Sequence, residues 1–148
     1  MGLAALERIG VRTVVCCFAW LLFAVGLSGA QPVGTNSDQR ATVIVVVGAA
    51  GEDEYGKSFA AWAENWRKAS EQGGAIYIAI GLDKPDTTND LARLEQVLDD
   101  EPKASPAQLW LVLIGHGTFD GKEAKFNLRG PDLSASNLVA WLKDFRRP

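Results

Sequence analysis

The chain has 148 residues, 47% of them apolar, with 15 lysines and arginines against 18 aspartates and glutamates, for a formal net charge of −3. That length holds one globular domain at most. No basic patch argues for nucleic acid, which is not an expected partner.

The first thirty residues differ in kind. Arg8 and Arg12 lead into the apolar run Val14 to Leu27, and the small residues Ser28-Gly29-Ala30 follow. This is the pattern of a signal peptide, with cleavage expected after Ala30. A membrane span needs about 20 apolar residues, more than this run offers, so export to the periplasm or the medium is expected, with no stable membrane span after cleavage. Cys16 and Cys17 both lie inside the run. The mature chain from Gln31 therefore has no cysteine, which excludes disulfides, thiolate metal sites and a cysteine nucleophile of its own. Removing Glu7, Arg8 and Arg12 with the leader leaves 13 basic and 17 acidic residues, a charge of −4.

Residues 31–40 (QPVGTNSDQR) are polar and aperiodic and read as a flexible linker; residues 41–148 read as the domain. Thr42 to Val47 (TVIVVV) is rich in β-branched residues without alternation, the signature of a strand buried on both faces. Gly48 to Gly56 reads as a loop at its carboxyl end, and a helix is expected from near Lys57. Phe59, Trp62, Ala63 and Trp66 fall at i, i+3, i+4 and i+7, one aromatic stripe expected to pack on the sheet. Gly73-Gly74 ends that helix.

Ala75 to Ile80 (AIYIAI) is the second strand. After the loop Gly81 to Asn89, a helix capped by Thr87, Thr88 or Asn89 carries Asp90 in its first turn, and Leu91, Leu94, Val97 and Leu98 on its apolar face. Asp99-Asp100-Glu101-Pro102 ends it as a solvated acidic run. Leu109 to Ile114 (LWLVLI) reads as a third strand, central and buried on both faces, ending abruptly at Gly115-His116-Gly117. Phe119 to Leu128 is too polar for a core strand and suggests a short hairpin or an excursion over the site. Asp132 or Ser134 then caps a last helix with Leu138, Trp141, Leu142 and Phe145 on one face.

Strand, helix, strand, helix, strand, helix defines an α/β fold: a parallel sheet with helices on both faces, built by right-handed crossovers. Three strands make a narrow sheet. The last helix leads to no returning strand, so the architecture is expected to be truncated after three strands.

His116 is the single histidine of the chain, and it falls just beyond a strand's carboxyl end, where open α/β sheets place ligands and catalytic groups. Imidazole is suited to general acid–base work, and flanking glycines let a backbone N–H approach a substrate oxygen. The plain alternative is a turn histidine that hydrogen-bonds a neighbouring loop. One histidine without cysteine cannot supply a zinc site, and Asp120 and Glu123 are too few for an oxygen cage, so no metal or other cofactor is expected. Gly51 to Ser58 (GEDEYGKS) matches the phosphate-loop pattern G-x-x-x-x-G-K-[ST]. Glu52, Asp53 and Glu54 would put three carboxylates into the anion cradle, which argues against nucleotide binding. No G-x-S-x-G elbow is present, Ser134 and Ser136 read as helix-start residues, and Thr118 has only Asp120 as a weak orienting acid.

Taken together, V-V-V-G-A-A-G-E-D-E-Y near the start, I-G-H-G-T-F-D-G…G-P-D-L-S-A-S-N-L later, and the L-x-x-x-x-L-x-x-W-L helix resemble the caspase-like cysteine peptidases, legumain-type enzymes most of all. The resemblance covers roughly Thr42 to Phe145. It implies a caspase-like three-layer sandwich, a peptide or protein substrate, and a site in which His116 assists a cysteine nucleophile while the Gly117 N–H stabilises the oxyanion. In that family the cysteine ends the strand after the helix corresponding to Ser134 to Phe145, and this sequence contains no such strand. The substrate-selecting arginine of the legumain first loop is also missing, since Gly56 and Lys57 follow Tyr55. By itself the chain is therefore expected to be inactive as a peptidase. The alternative is a noncatalytic secreted module that binds a protein or peptide through the loops Gly48 to Gly56 and Gly115 to Gly121. The sequence carries no indication of oligomeric state.

Overall fold

A computed structural model describes residues 39–83 and 89–148, all within the compact unit Gly34–Pro148. The leader, its two cysteines, most of the linker, and Thr87 and Thr88 lie outside the described residues.

Strand β1 (Thr42–Val47) lies between β2 (Ile76–Ile80) and β3 (Leu109–Ile114) in a parallel sheet of order β2-β1-β3. Its alternate side chains feed two cores. Val43, Val45 and Val47 face helix α1 (Asp53–Gln72) together with Phe59, Ala63 and Ile114. Ile44 and Val46 face the other way, with Leu94 and Leu98 of helix α2 (Asp90–Asp100) and Leu138, Trp141 and Leu142 of helix α3 (Ala135–Leu142). Helices thus cover both faces, and every β1 residue is buried, as the unbroken apolar run demands.

The third strand departs from expectation. It is an edge strand of the described sheet, and Trp110 and Leu113 are 48% and 38% exposed. An apolar run reports what a strand could bury, not whether a neighbour is there to bury it. Trp62 is likewise 53% exposed, although Phe59, Ala63 and Trp66 of the same stripe do pack inward.

Helix α1 begins four residues before Lys57, because Asp53 and Glu54 suit the positive end of a helix dipole. Asn89 caps α2, its side chain accepting from the Ala92 N–H at 3.0 Å. Ser134, not Asp132, caps α3, through a capping box with Asn137. Asp132 instead accepts from the Leu128 N–H at 3.2 Å. Glu101 is not a solvated end: it pairs with Arg147 at 2.5 Å, both side chains largely buried.

The polar stretch after β3 forms a second, antiparallel sheet of β4 (Gly117–Phe119), β5 (Ala124–Phe126) and β6 (Leu133–Ser134). The hairpin β4–β5 is one of the two forms the sequence allows; β6 is not evident from it. Among the described residues no helix is long and apolar enough to cross a membrane.

Candidate functional site

β1 and β3 end side by side, and Gly48 and Gly115 follow them. The Phe126 ring lies against both glycines: a Cβ added at Gly115 would sit 2.9 Å from its Cζ, and one added at Gly48 would sit 3.1 Å from it and 2.5 Å from the Asn127 carbonyl. The hairpin therefore seats on the carboxyl end of the sheet only because two side chains are missing there. Asn127 fixes it in place, its carbonyl accepting from Ala49 N–H at 2.9 Å and its N–H donating to the His116 carbonyl at 3.0 Å.

This staple holds the backbone of His116, and α1 walls its half-buried ring. The Tyr55 ring stands edge-on to the imidazole at 4.8 Å between centroids and 88° between planes; Phe59, one turn further along, stands at 5.2 Å and 62°. Neither imidazole nitrogen has a hydrogen-bond partner among the described residues. Sequence alone does not give these neighbours, because with the helix placed from Lys57 onward Tyr55 falls in a loop. Begun at Asp53, the helix extends the aromatic stripe by a turn, to Tyr55.

Backbone direction settles which groups are open. Thr42 N–H donates to Gln108 O and Gly48 N–H to Ile114 O, both at 2.9 Å, so in β3 residues 108, 110, 112 and 114 turn toward β1. Leu109, Leu111 and Leu113 turn away. Leu109 N–H donates to the Pro148 carbonyl at 3.0 Å, while Leu111 and Leu113 have no outward backbone partner among the described residues. In the hairpin, His116 and Asp120 bond toward β5, so Gly117 and Phe119 point their N–H groups away from it. Gly117 also lines a shallow groove of about 230 Å³ with Leu113, Phe126, Leu133 and Leu138.

The other candidates are occupied elsewhere. The Asp120 carboxylate accepts from the N–H groups of Lys122 and Glu123, both at 2.9 Å, closing the hairpin turn, and those bonds hold its pKa below the usual carboxylate value. It does not orient His116. Thr118 Oγ1 lies 3.4 Å from the Asn127 amide oxygen, and Ser134 is spent on its cap. Gly56, Lys57 and Ser58 of the phosphate-loop pattern lie within α1, where the Gly56 N–H already donates to Glu52 O at 3.2 Å, so they form no cradle. Among the described residues no group of three potential ligands could hold a metal ion.

Fold and site together define an α/β protein with a single histidine at the carboxyl mouth of its parallel sheet. No protein-family model, curated protein or solved structure matches the chain.

Proposed function

We propose that this chain carries the histidine half of a legumain-like, caspase-like cysteine peptidase site, in an exported protein whose leader ends at Ala30. The observation that carries the reading is the outer edge of β3: among the described residues, the N–H and C=O groups of Leu111 and Leu113 on the strand that delivers His116 have no backbone partner along that side. A strand laid parallel to β3 on that edge ends level with His116. The nucleophilic cysteine belongs at its end, since residues 31–148 contain none.

The chemistry follows from the groups present. His116 takes the thiol proton, the thiolate adds to the peptide carbonyl, and the Gly117 N–H receives the developing oxyanion. The imidazolium returns its proton to the leaving amine, and water then hydrolyses the acyl-enzyme. Gly117 is suited to its part because its N–H is turned out of the hairpin.

A purified chain 31–148 is expected to show no peptide hydrolysis. Protein isolated from its source is expected to cleave peptides, to lose that activity on thiol alkylation, and to lack it as His116→Ala. Alkylation-resistant activity overturns the reading. The exposed Trp62, Trp110 and Phe119 favour a second reading, a noncatalytic binding module. That reading holds if source protein binds a peptide or protein and hydrolyses none.

A further inference from the structure

We infer that Tyr55 and Phe59 are the positioning residues of His116, setting its imidazole by an aromatic notch where a side-chain hydrogen bond would ordinarily do so; the inference rests on the reading that this ring does chemistry. A histidine that acts as base needs its ring held in one orientation, commonly by an acceptor on the second nitrogen. Here no such acceptor is present among the described residues. Asp120, the carboxylate closest in sequence, has its Oδ1 committed to two backbone N–H groups, and the Asn127 amide oxygen faces Thr118.

What does touch the ring is aromatic on two sides. Tyr55 and Phe59 are spaced i, i+4 on α1, so their rings stand one above the other, with centroids 6.1 Å apart. Phe59 is 3% exposed and fixed in the core with Val47, Ala63 and Ile114, and it forms a rigid wall. Tyr55 is 46% exposed and closes the notch from the solvent side. Both contacts are edge-to-face, the arrangement aromatic quadrupoles favour, so the notch selects a ring plane as well as a position. The tyrosine hydroxyl has no partner among the described residues, so the aromatic ring and not the hydroxyl is the working part.

The single histidine makes the test clean, because its ring signals need no assignment against others. Hα–Hβ couplings and ring-proton shifts of His116 would be recorded in the purified chain as wild type, Tyr55→Phe, Tyr55→Leu and Tyr55→Ala. Tyr55 is half exposed, and the remaining amide signals report that each variant is folded. Wild type and Tyr55→Phe are expected to show one side-chain rotamer. In Tyr55→Ala its occupancy should fall toward about one-third, the value for free sampling of three staggered wells, and Tyr55→Leu should not restore the ring shifts. Unchanged couplings and shifts in Tyr55→Ala overturn the inference whatever the protein's activity. In active source protein, Tyr55→Ala should lower kcat with KM unchanged and Tyr55→Phe should restore it; if thiol-dependent activity proves absent while the couplings still respond, the peptidase reading has failed and the notch has not.

Discussion

Arg129 grips Asp90 through two parallel bonds, Nε to Oδ2 at 2.8 Å and Nη2 to Oδ1 at 3.0 Å, and the aspartate side chain is completely buried. The third guanidinium nitrogen donates to the Asp83 carbonyl at 2.5 Å, and the Asp90 N–H donates to the Arg129 carbonyl at 3.3 Å. One side chain thereby ties the segment after β5 to the start of α2. Arg129→Met leaves a buried carboxylate uncompensated, a loss of about 3 kcal/mol, the lower end for broken buried pairs because Arg129 is itself part exposed. Urea unfolding would measure it. Asp90→Asn combined with Arg129→Met should recover part of the loss, and a single-variant loss below about 1 kcal/mol would contradict the assignment.

The glycines under the hairpin make a second test. Gly115→Ala meets the tip of the Phe126 ring and should cost about 1–3 kcal/mol. Adding Phe126→Leu should return much of this. Gly48→Ala meets the Asn127 backbone, which cannot be trimmed, so Phe126→Leu should not rescue it. Equal rescue of both variants would show that the ring alone sets the spacing.

Gly56 predicts the opposite sign. It lies inside α1, and an added Cβ would meet only the Ala50 Cβ at an ordinary 3.4 Å. Gly56→Ala should stabilise the protein by about 0.5–1 kcal/mol, the ordinary penalty of glycine in a helix. Thermal unfolding reads it directly, and a lower melting temperature would refute the helical assignment.

The hairpin turn should be acid-sensitive. Hydrogen bonds from the N–H groups of Glu123 and Lys122 lower the Asp120 pKa. A depressed carboxylate contributes its stabilisation above its unfolded value, about 3.9, and loses it as pH falls through the lower folded value. The Lys122 and Glu123 amide shifts should therefore titrate together with a midpoint below about 3.9. A midpoint at or above that value would mean the turn is not held by the carboxylate.

Much of this fold was legible because it rests on local pattern. TVIVVV, AIYIAI and LWLVLI each declare a strand, the apolar stripes declare the helices, and the abrupt end of LWLVLI at Gly115 declares the strand-end setting of His116. What stayed hidden depends on separation or on shortness. Asp90 and Arg129 are 39 residues apart, and Glu101 and Arg147 are 46 apart. β4 and β5 are three residues each and β6 two, too short for any period to show. The exposed Trp110 was invisible for another reason: nothing in LWLVLI says that its outer edge is open. Tyr55 was one helical turn from legibility, since the acidic first turn at Asp53 and Glu54 marks the true helix start.

A peptidyl, cysteine-directed alkylating probe applied to protein isolated from its source, with the adduct mapped by mass spectrometry, tests the pairing of His116 with a thiol. A cysteine–histidine site gives one labelled cysteine, at the end of an apolar segment that pairs with β3, and labelling that disappears in His116→Ala. Absence of any labelled thiol, or labelling indifferent to His116, would contradict it.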